Sequence, residues 1–151
     1  FGRPKCEANI RRAPAASAEL LSSHGLRRTA AREAVLTLLL ERAEPLSHAD
    51  IRRAVGRRAD RVTLYRTLGT LHRARLVHQV LGEDGIWRFC CHDPAEPGCP
   101  GNHPHFLCLQ CGRMVCLKDQ PLPRVRVPAR FEVKSKQLVL FGRCGACRRT
   151  P

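Results

Sequence analysis

Two Cys-x-x-Cys pairs constrain this chain more than any other feature: Cys108-Leu-Gln-Cys111 and Cys144-Gly-Ala-Cys147, with 32 residues between them. A zinc ion takes four soft ligands in a tetrahedron, and two such knuckles supply them. Gly112 and Gly145 fall where the backbone must turn tightly around sulfur. The nine cysteines are an odd number, which argues against a fully paired disulfide framework. No secretory signal is read at the N-terminus, so a reducing cytoplasm and thiolate chemistry are expected. A redox pair would need a βαβ context, and the pattern shows none. Cys6 and Cys99 read as incidental.

At 151 residues the chain fits one ordinary domain or two small ones, which excludes a large multidomain enzyme. Lys and Arg number 27 against 13 Asp and Glu, a formal net charge of +14. That excess points to a polyanion, nucleic acid before an anionic membrane surface. Aromatic residues make up only 5%, too few for a binder that stacks base after base on rings. No apolar run approaches the roughly 20 residues of a membrane span. Residues 1–82 hold 16 basic and 7 acidic residues and one cysteine, while residues 83–151 hold 11 and 6 and the other eight cysteines. A basic module is therefore expected to precede a cysteine-rich one.

The basic module reads as helices. Residues 15–24 are amphipathic and close at Gly25. Thr29 can cap a second helix, stopped at Glu44-Pro45. Ser47 and Asp50 mark the start of a third, which ends at Gly56. Asp60 caps a fourth, with Val62, Leu64, Leu68 and Leu71 expected to face the core. Residues 76–81 and 86–90 flank a Gly82–Gly85 turn as a hairpin. Helices followed by a hairpin are the winged-helix order. The fourth helix would then present Thr63, Tyr65 and Arg66 to DNA, with Arg27, Arg28 and Arg32 anchoring phosphates. A solvated basic face is the bland alternative. In the second module, residues 105–109, 113–117, 130–135 and 137–141 read as strands, the last two as a pair.

A further cluster is expected around the joint. The hairpin brings His78 near Cys90, and His103-Pro104-His105 places two imidazoles on one side of an extended segment. These four residues form a candidate site of one thiolate and three imidazoles that draws on both modules and suits zinc better than iron(II). Cys91, His92 and Cys116 are possible replacements within it, and His24, His48 and His72 read as ordinary surface residues. Catalysis is not expected, because no acid stands in an HxE or HExxH arrangement.

Four segments in order carry a family resemblance: Gly-Leu-Arg-Arg-Thr-Ala-Ala-Arg (25–32), Thr-Leu-Tyr-Arg-Thr-Leu (63–68), His-Pro-His-Phe-Leu-Cys-Leu-Gln-Cys-Gly (103–112) and Gly-Arg-Cys-Gly-Ala-Cys (142–147). Across about residues 20–147 the chain resembles the ferric uptake regulator family. The resemblance implies an α+β fold: a winged helix-turn-helix domain (15–90) after an N-terminal extension (1–14), a hinge loop (91–102), and a small α/β dimerisation domain (103–151) with the four-cysteine zinc site. It implies a cytoplasmic, homodimeric, metal-dependent repressor of palindromic double-stranded operators, with no small-molecule substrate. Tyr65, Arg66 and Arg27 would contact DNA. Cys108, Cys111, Cys144 and Cys147 would hold structural zinc, and His103 and His105 fall on the hinge regulatory site. Cys90 stands where iron-type members carry a carboxylate, which resembles the zinc uptake regulator branch, and His78 matches that branch's wing ligand.

There are departures. Asn102, Pro104, Pro123 and Lys136 cannot reproduce the family's third site. The short, Pro-rich stretch between the knuckles predicts a short or absent dimerisation helix. Rival expectations are an iron- or peroxide-responsive regulator on the same scaffold, and a zinc-ribbon adaptor for nucleic acid. The leading expectation is zinc that bridges wing and hinge and so fixes the angle between the modules.

Overall fold

The computed structural model describes residues 13–42, 44–91, 103–118 and 120–149. Cys6, the extension through residue 12, and the stretch 92–102 with His92, Cys99 and Asn102 lie outside the described residues. Among the described residues four α-helices come first: α1 (Ala13–Ser23), α2 (Ala30–Arg42), α3 (His48–Val55) and α4 (Arg61–Arg73). Strand β1 (Leu46–Ser47) lies between α2 and α3, and β2 (Val77–Leu81) and β3 (Trp87–Cys91) follow α4. The cysteine-rich part contains β4 (His105–Cys108), β5 (Met114–Cys116), β6 (Val139–Gly142) and α5 (Gly145–Arg149). The fold is α+β.

Local chemistry sets the helix ends. Helix α1 closes with Leu26 N–H on the Leu21 carbonyl at 2.8 Å and Gly25 N–H on the Ser22 carbonyl at 3.0 Å. That closure requires a left-handed residue, which Gly25 supplies with φ +65°. Helix α4 ends in the same pattern, but there Arg75 takes φ +59°. At α3, Ser47 and Asp50 form a reciprocal capping box. At α4, the Asp60 carboxylate accepts the Thr63 N–H at 2.7 Å, and that bond holds the carboxyl below its ordinary range.

The core of the first module packs Leu21, Val35, Leu36, Leu39, Ile51 and Leu64 with Leu68 and Leu71. Val62 is not among them. It is 59% exposed, a correction to the sequence expectation. Leu64, Leu68 and Leu71 recur at three- and four-residue steps on one stripe, and two residues before Leu64 lies the opposite side of the helix.

The wing is a three-stranded antiparallel sheet of order β1-β3-β2. Its registers pair Val77 with Cys91, His78 with Cys90, and Val80 with Arg88. Side chains alternate between faces, and directly opposed residues share one. Val77 and Cys91 join the helical core. His78, Cys90, Val80 and Arg88 are buried on the other face, where Val80 packs with Leu107 and Met114 of the cysteine-rich module. The second sheet has order β5-β4-β6, antiparallel on one side and parallel on the other. The wing thus lies between the helices and the second sheet. Gln137 seals its edge, donating to the Leu81 carbonyl at 3.1 Å and accepting the Leu81 N–H at 3.3 Å.

The expected strand pair 130–135 with 137–141 does not form. Residues 120–138 contain neither helix nor strand, and residues 139–142 pair with β4 instead. Pro121, Pro123 and Pro128 remove donors from this stretch. No helix forms in that stretch, in keeping with its prolines.

Candidate metal centres and nucleic-acid interface

Cys108, Cys111, Cys144 and Cys147 place their sulfurs within 4.8 Å of one another. Cys108 ends β4, Cys111 closes the first knuckle, and the other two flank the start of α5. The Cys144 N–H donates to the Cys108 sulfur at 3.3 Å. That bond first, then the Cys111 N–H, pulls the Cys108 thiol down to about 6. Cys147 is pushed up to about 12, chiefly by its hydrogen bond with Cys144. Four thiols this close cannot all ionise unaided, and a divalent cation removes the conflict. The donor set and spacing fit zinc.

The second cluster is His78, His103 and His105, all buried, with one nitrogen from each within 4.8 Å of the others. His78 and His105 bring their Nε2 atoms to 3.5 Å, and the His103 and His105 rings lie 4.6 Å apart. A tetrahedral zinc sets ligand nitrogens about 3.3 Å apart, so small ring rotations would close the set. The buried Nδ1 of His105 finds no hydrogen-bond partner, as expected where a cation would compensate burial.

Two thiols adjoin the histidines. Cys90, wholly buried on β3, brings its sulfur to 3.5 Å from that of Cys116 on β5. The pair shares its protons unequally. Cys116 is held far below the ordinary thiol value by its bond with Cys90, then by His103 and His105. Cys90 is pushed well above it by Cys116 and by burial. The structure therefore brings three of the four expected ligands together and sets Cys90 beside them in company with Cys116. Among the alternatives, Cys91 points into the helical core. Cys116 directly opposes His105 across β4–β5.

The basic face is built on α3, α4 and the wing. Tyr65 is 76% exposed and Arg66 is exposed beside it, with Thr63 half-buried. A cleft of about 1030 Å³ runs between these helices and the wing, lined in part by Arg52, Arg61, Tyr65, Trp87 and Phe89. Burial, then the charges of Arg61 and Arg52, lower the His48 pKa at its edge. Of the expected phosphate anchors, Arg27 is exposed. Arg28 pairs with Glu33, and Arg32 donates to the Arg27 carbonyl at 2.7 Å. Arg52, Arg61 and Trp87 were not singled out from the sequence. Only the wing register and the cap at Asp60 bring them to one cleft.

A winged helix whose wing closes on a four-cysteine module, with metal-binding side chains buried in the joint, defines a metal-dependent DNA-binding regulator. The model of the ferric uptake regulator family matches residues 23–140, and the chain belongs to that family. Its members are metal-responsive transcription regulators, not enzymes, and bind operator DNA, typically as dimers. Among solved structures the chain is similar to a zinc uptake regulator complexed with zinc and DNA, with 21% identity, TM-score 0.64, and 92% and 95% of the two chains covered. It is similar to the Vibrio cholerae ferric uptake regulator at 20% identity and TM-score 0.58, covering 83% of this chain and 98% of that one. The ferric uptake regulator of Pseudomonas aeruginosa with manganese gives 23% identity, TM-score 0.57, and 85% and 98% coverage. No curated protein matches. Among the described residues, no helix is long and apolar enough to cross a membrane.

Proposed function

We propose that the chain is a zinc-responsive repressor of the zinc uptake regulator branch, acting in the cytoplasm on genes of metal uptake. The observation that carries this reading is the donor set in the joint: three buried imidazoles with two thiols beside them. Among the described residues no carboxylate joins that cluster. Imidazole and thiolate donors favour zinc over iron(II).

In this reading the four-cysteine site holds structural zinc, and His78, His103 and His105 hold regulatory zinc with a thiol of the Cys90–Cys116 pair. His78 belongs to the wing and His105 to the second sheet, so one ion ties the two together. Residues 15–90 serve as the reading module, 91–102 as the hinge, and 103–151 as the pairing module. Exposed Val125, Val127, Phe131, Val133, Leu140 and Phe141 offer apolar surface for a second copy to cover. In such a dimer two α4 helices face two half-sites, with Tyr65, Arg66 and Thr63 at base edges and Arg27, Arg28 and Arg32 toward phosphates. The pairs at Arg28 and Arg32 are exposed, so their exchange for phosphates costs little. Zinc that binds the DNA-competent arrangement more tightly raises DNA affinity by the same factor.

The test is operator binding at fixed salt over graded free zinc, with iron(II) in parallel. Tightening with zinc and not with iron(II) supports the reading. Tightening with iron(II) alone supports the iron-type reading, and equal affinity in chelator and in zinc refutes metal dependence.

A further inference from the structure

We propose that Arg88 is a positioning residue that latches the wing to the first cysteine knuckle, so that the four-cysteine metal also sets the placement of the wing on DNA. The proposal rests on reading the chain as an operator-binding regulator.

Arg88 lies on β3 directly opposite Val80, on the face turned to the second sheet. It is only 4% exposed. An arginine is seldom buried unless its planar fork is engaged. Here Nη1 donates to Asp84 Oδ1 at 3.0 Å and Nη2 to Asp84 Oδ2 at 2.7 Å, a two-pronged pair within the wing turn. Nη2 also donates to the Gly112 carbonyl at 3.1 Å. Gly112 follows Cys111 with φ +72°, and its own N–H bonds the Cys108 carbonyl at 2.9 Å. The guanidinium of Arg88 thus grips the loop that carries Cys108 and Cys111, which would hold the metal.

The same guanidinium grips the wing tip. Asp84 Oδ1 also accepts the Ile86 N–H at 3.1 Å, so one carboxylate shapes the turn and holds the guanidinium. Gly82 seats the turn against both. A Cβ there would lie 2.5 Å from Asp84 Oδ1, 2.7 Å from Arg88 Nη1 and 3.0 Å from Leu107. Ile86 and Trp87, next along the chain, emerge exposed at the cleft beside Tyr65. A second tie, Arg113 to Glu44 at 3.0 Å, anchors the same knuckle to the first module just ahead of β1. The joint between wing and second sheet is therefore layered: His78 against His105, then Val80 against Leu107 and Met114, then Arg88 against Gly112. The first layer would answer to a metal held by the histidines and the last to one held by the cysteines.

The test uses Arg88→Met, which keeps the apolar stem and removes the fork. Trp87 is the chain's single tryptophan and reports on the wing directly. In fully zinc-loaded protein the variant is expected to keep its zinc per chain and its helical content, to show faster local motion of Trp87 by anisotropy decay, and to bind operator about tenfold more weakly. The salt dependence of binding stays unchanged, because a buried Arg88 meets no phosphate. A slope reduced by about 0.9 would make it a DNA contact and overturn the latch. Trp87 motion and operator affinity equal to wild type would overturn it as well. Should the variant not fold, Trp87 motion in the wild type decides: stripping the zinc from the four cysteines must loosen Trp87 while the helical signal persists, and no loosening refutes the latch. The anisotropy needs no DNA. If wild-type operator binding ignores the second, histidine-site zinc while Trp87 motion and operator affinity follow Arg88, the functional reading fails and the latch stands.

Discussion

The two metal-binding clusters are built on opposite plans. The four cysteines come from two tight turns of one module, and Cys111 lies open to solvent. The three histidines are all buried and come from both modules. A cluster confined to one module can hold that module together but carries no news of its neighbour. A cluster shared across a joint can exist only when the joint is closed. That difference is the reason the proposed function gives the cysteines a structural role and the histidines a sensing one.

The largest expected effect breaks the local cluster. Cys144→Ser removes a ligand from a site that organises residues 103–149, so zinc per chain falls by one and the unfolding midpoint drops by more than about 10 °C. Calorimetry with metal analysis checks it. His105→Ala is expected to act differently: the chelator-labile zinc is lost, the resistant zinc stays, and operator affinity falls by about 10- to 100-fold with little change in midpoint. If His105→Ala also empties the cysteine site, the two clusters are not separable.

A third prediction concerns protons. In zinc-free protein Cys108 sits near 6, below an ordinary thiol at about 8.5. Between those values the unfolded chain binds more protons than the folded one, so this thiol adds stability as pH rises across the window. The contribution is complete above the unfolded value and is lost as pH falls through about 6. Ultraviolet thiolate absorbance should show that low step, and Cys108→Ser should remove it. The smallest effect lies away from both metals. Arg75 occupies a left-handed position that glycine fills at the matching end of α1, so Arg75→Gly should stabilise by about 0.5–1 kcal/mol in chemical denaturation.

The same contrast explains what was legible in the sequence. The cysteine site could be read from spacing, because its ligands are sequence neighbours in two turns. The caps at Ser47, Asp60 and Gly25 could be read because each is decided within three or four residues. The joint was legible only in part. The hairpin register pointed to His78 beside Cys90, and alternation pointed to His103 with His105. The approach of Cys116 depends on the β4–β5 register, and the Arg88 contact spans 24 residues of chain, so neither leaves a local pattern. Val62 and the segment 130–135 misled for a related reason. Apolar residues suggest burial, yet the helix stripe and the edge of β4 that β5 leaves open decide which of them are covered.

The central claim is that metal in the histidine cluster closes the joint. Amide exchange across residues 77–81 and 105–108, followed while a second zinc is titrated into protein already holding one per chain, reads both sides of that joint together. The account predicts that exchange slows on both strands in step with operator binding. Exchange that ignores the second zinc, while operator affinity still rises, would contradict it.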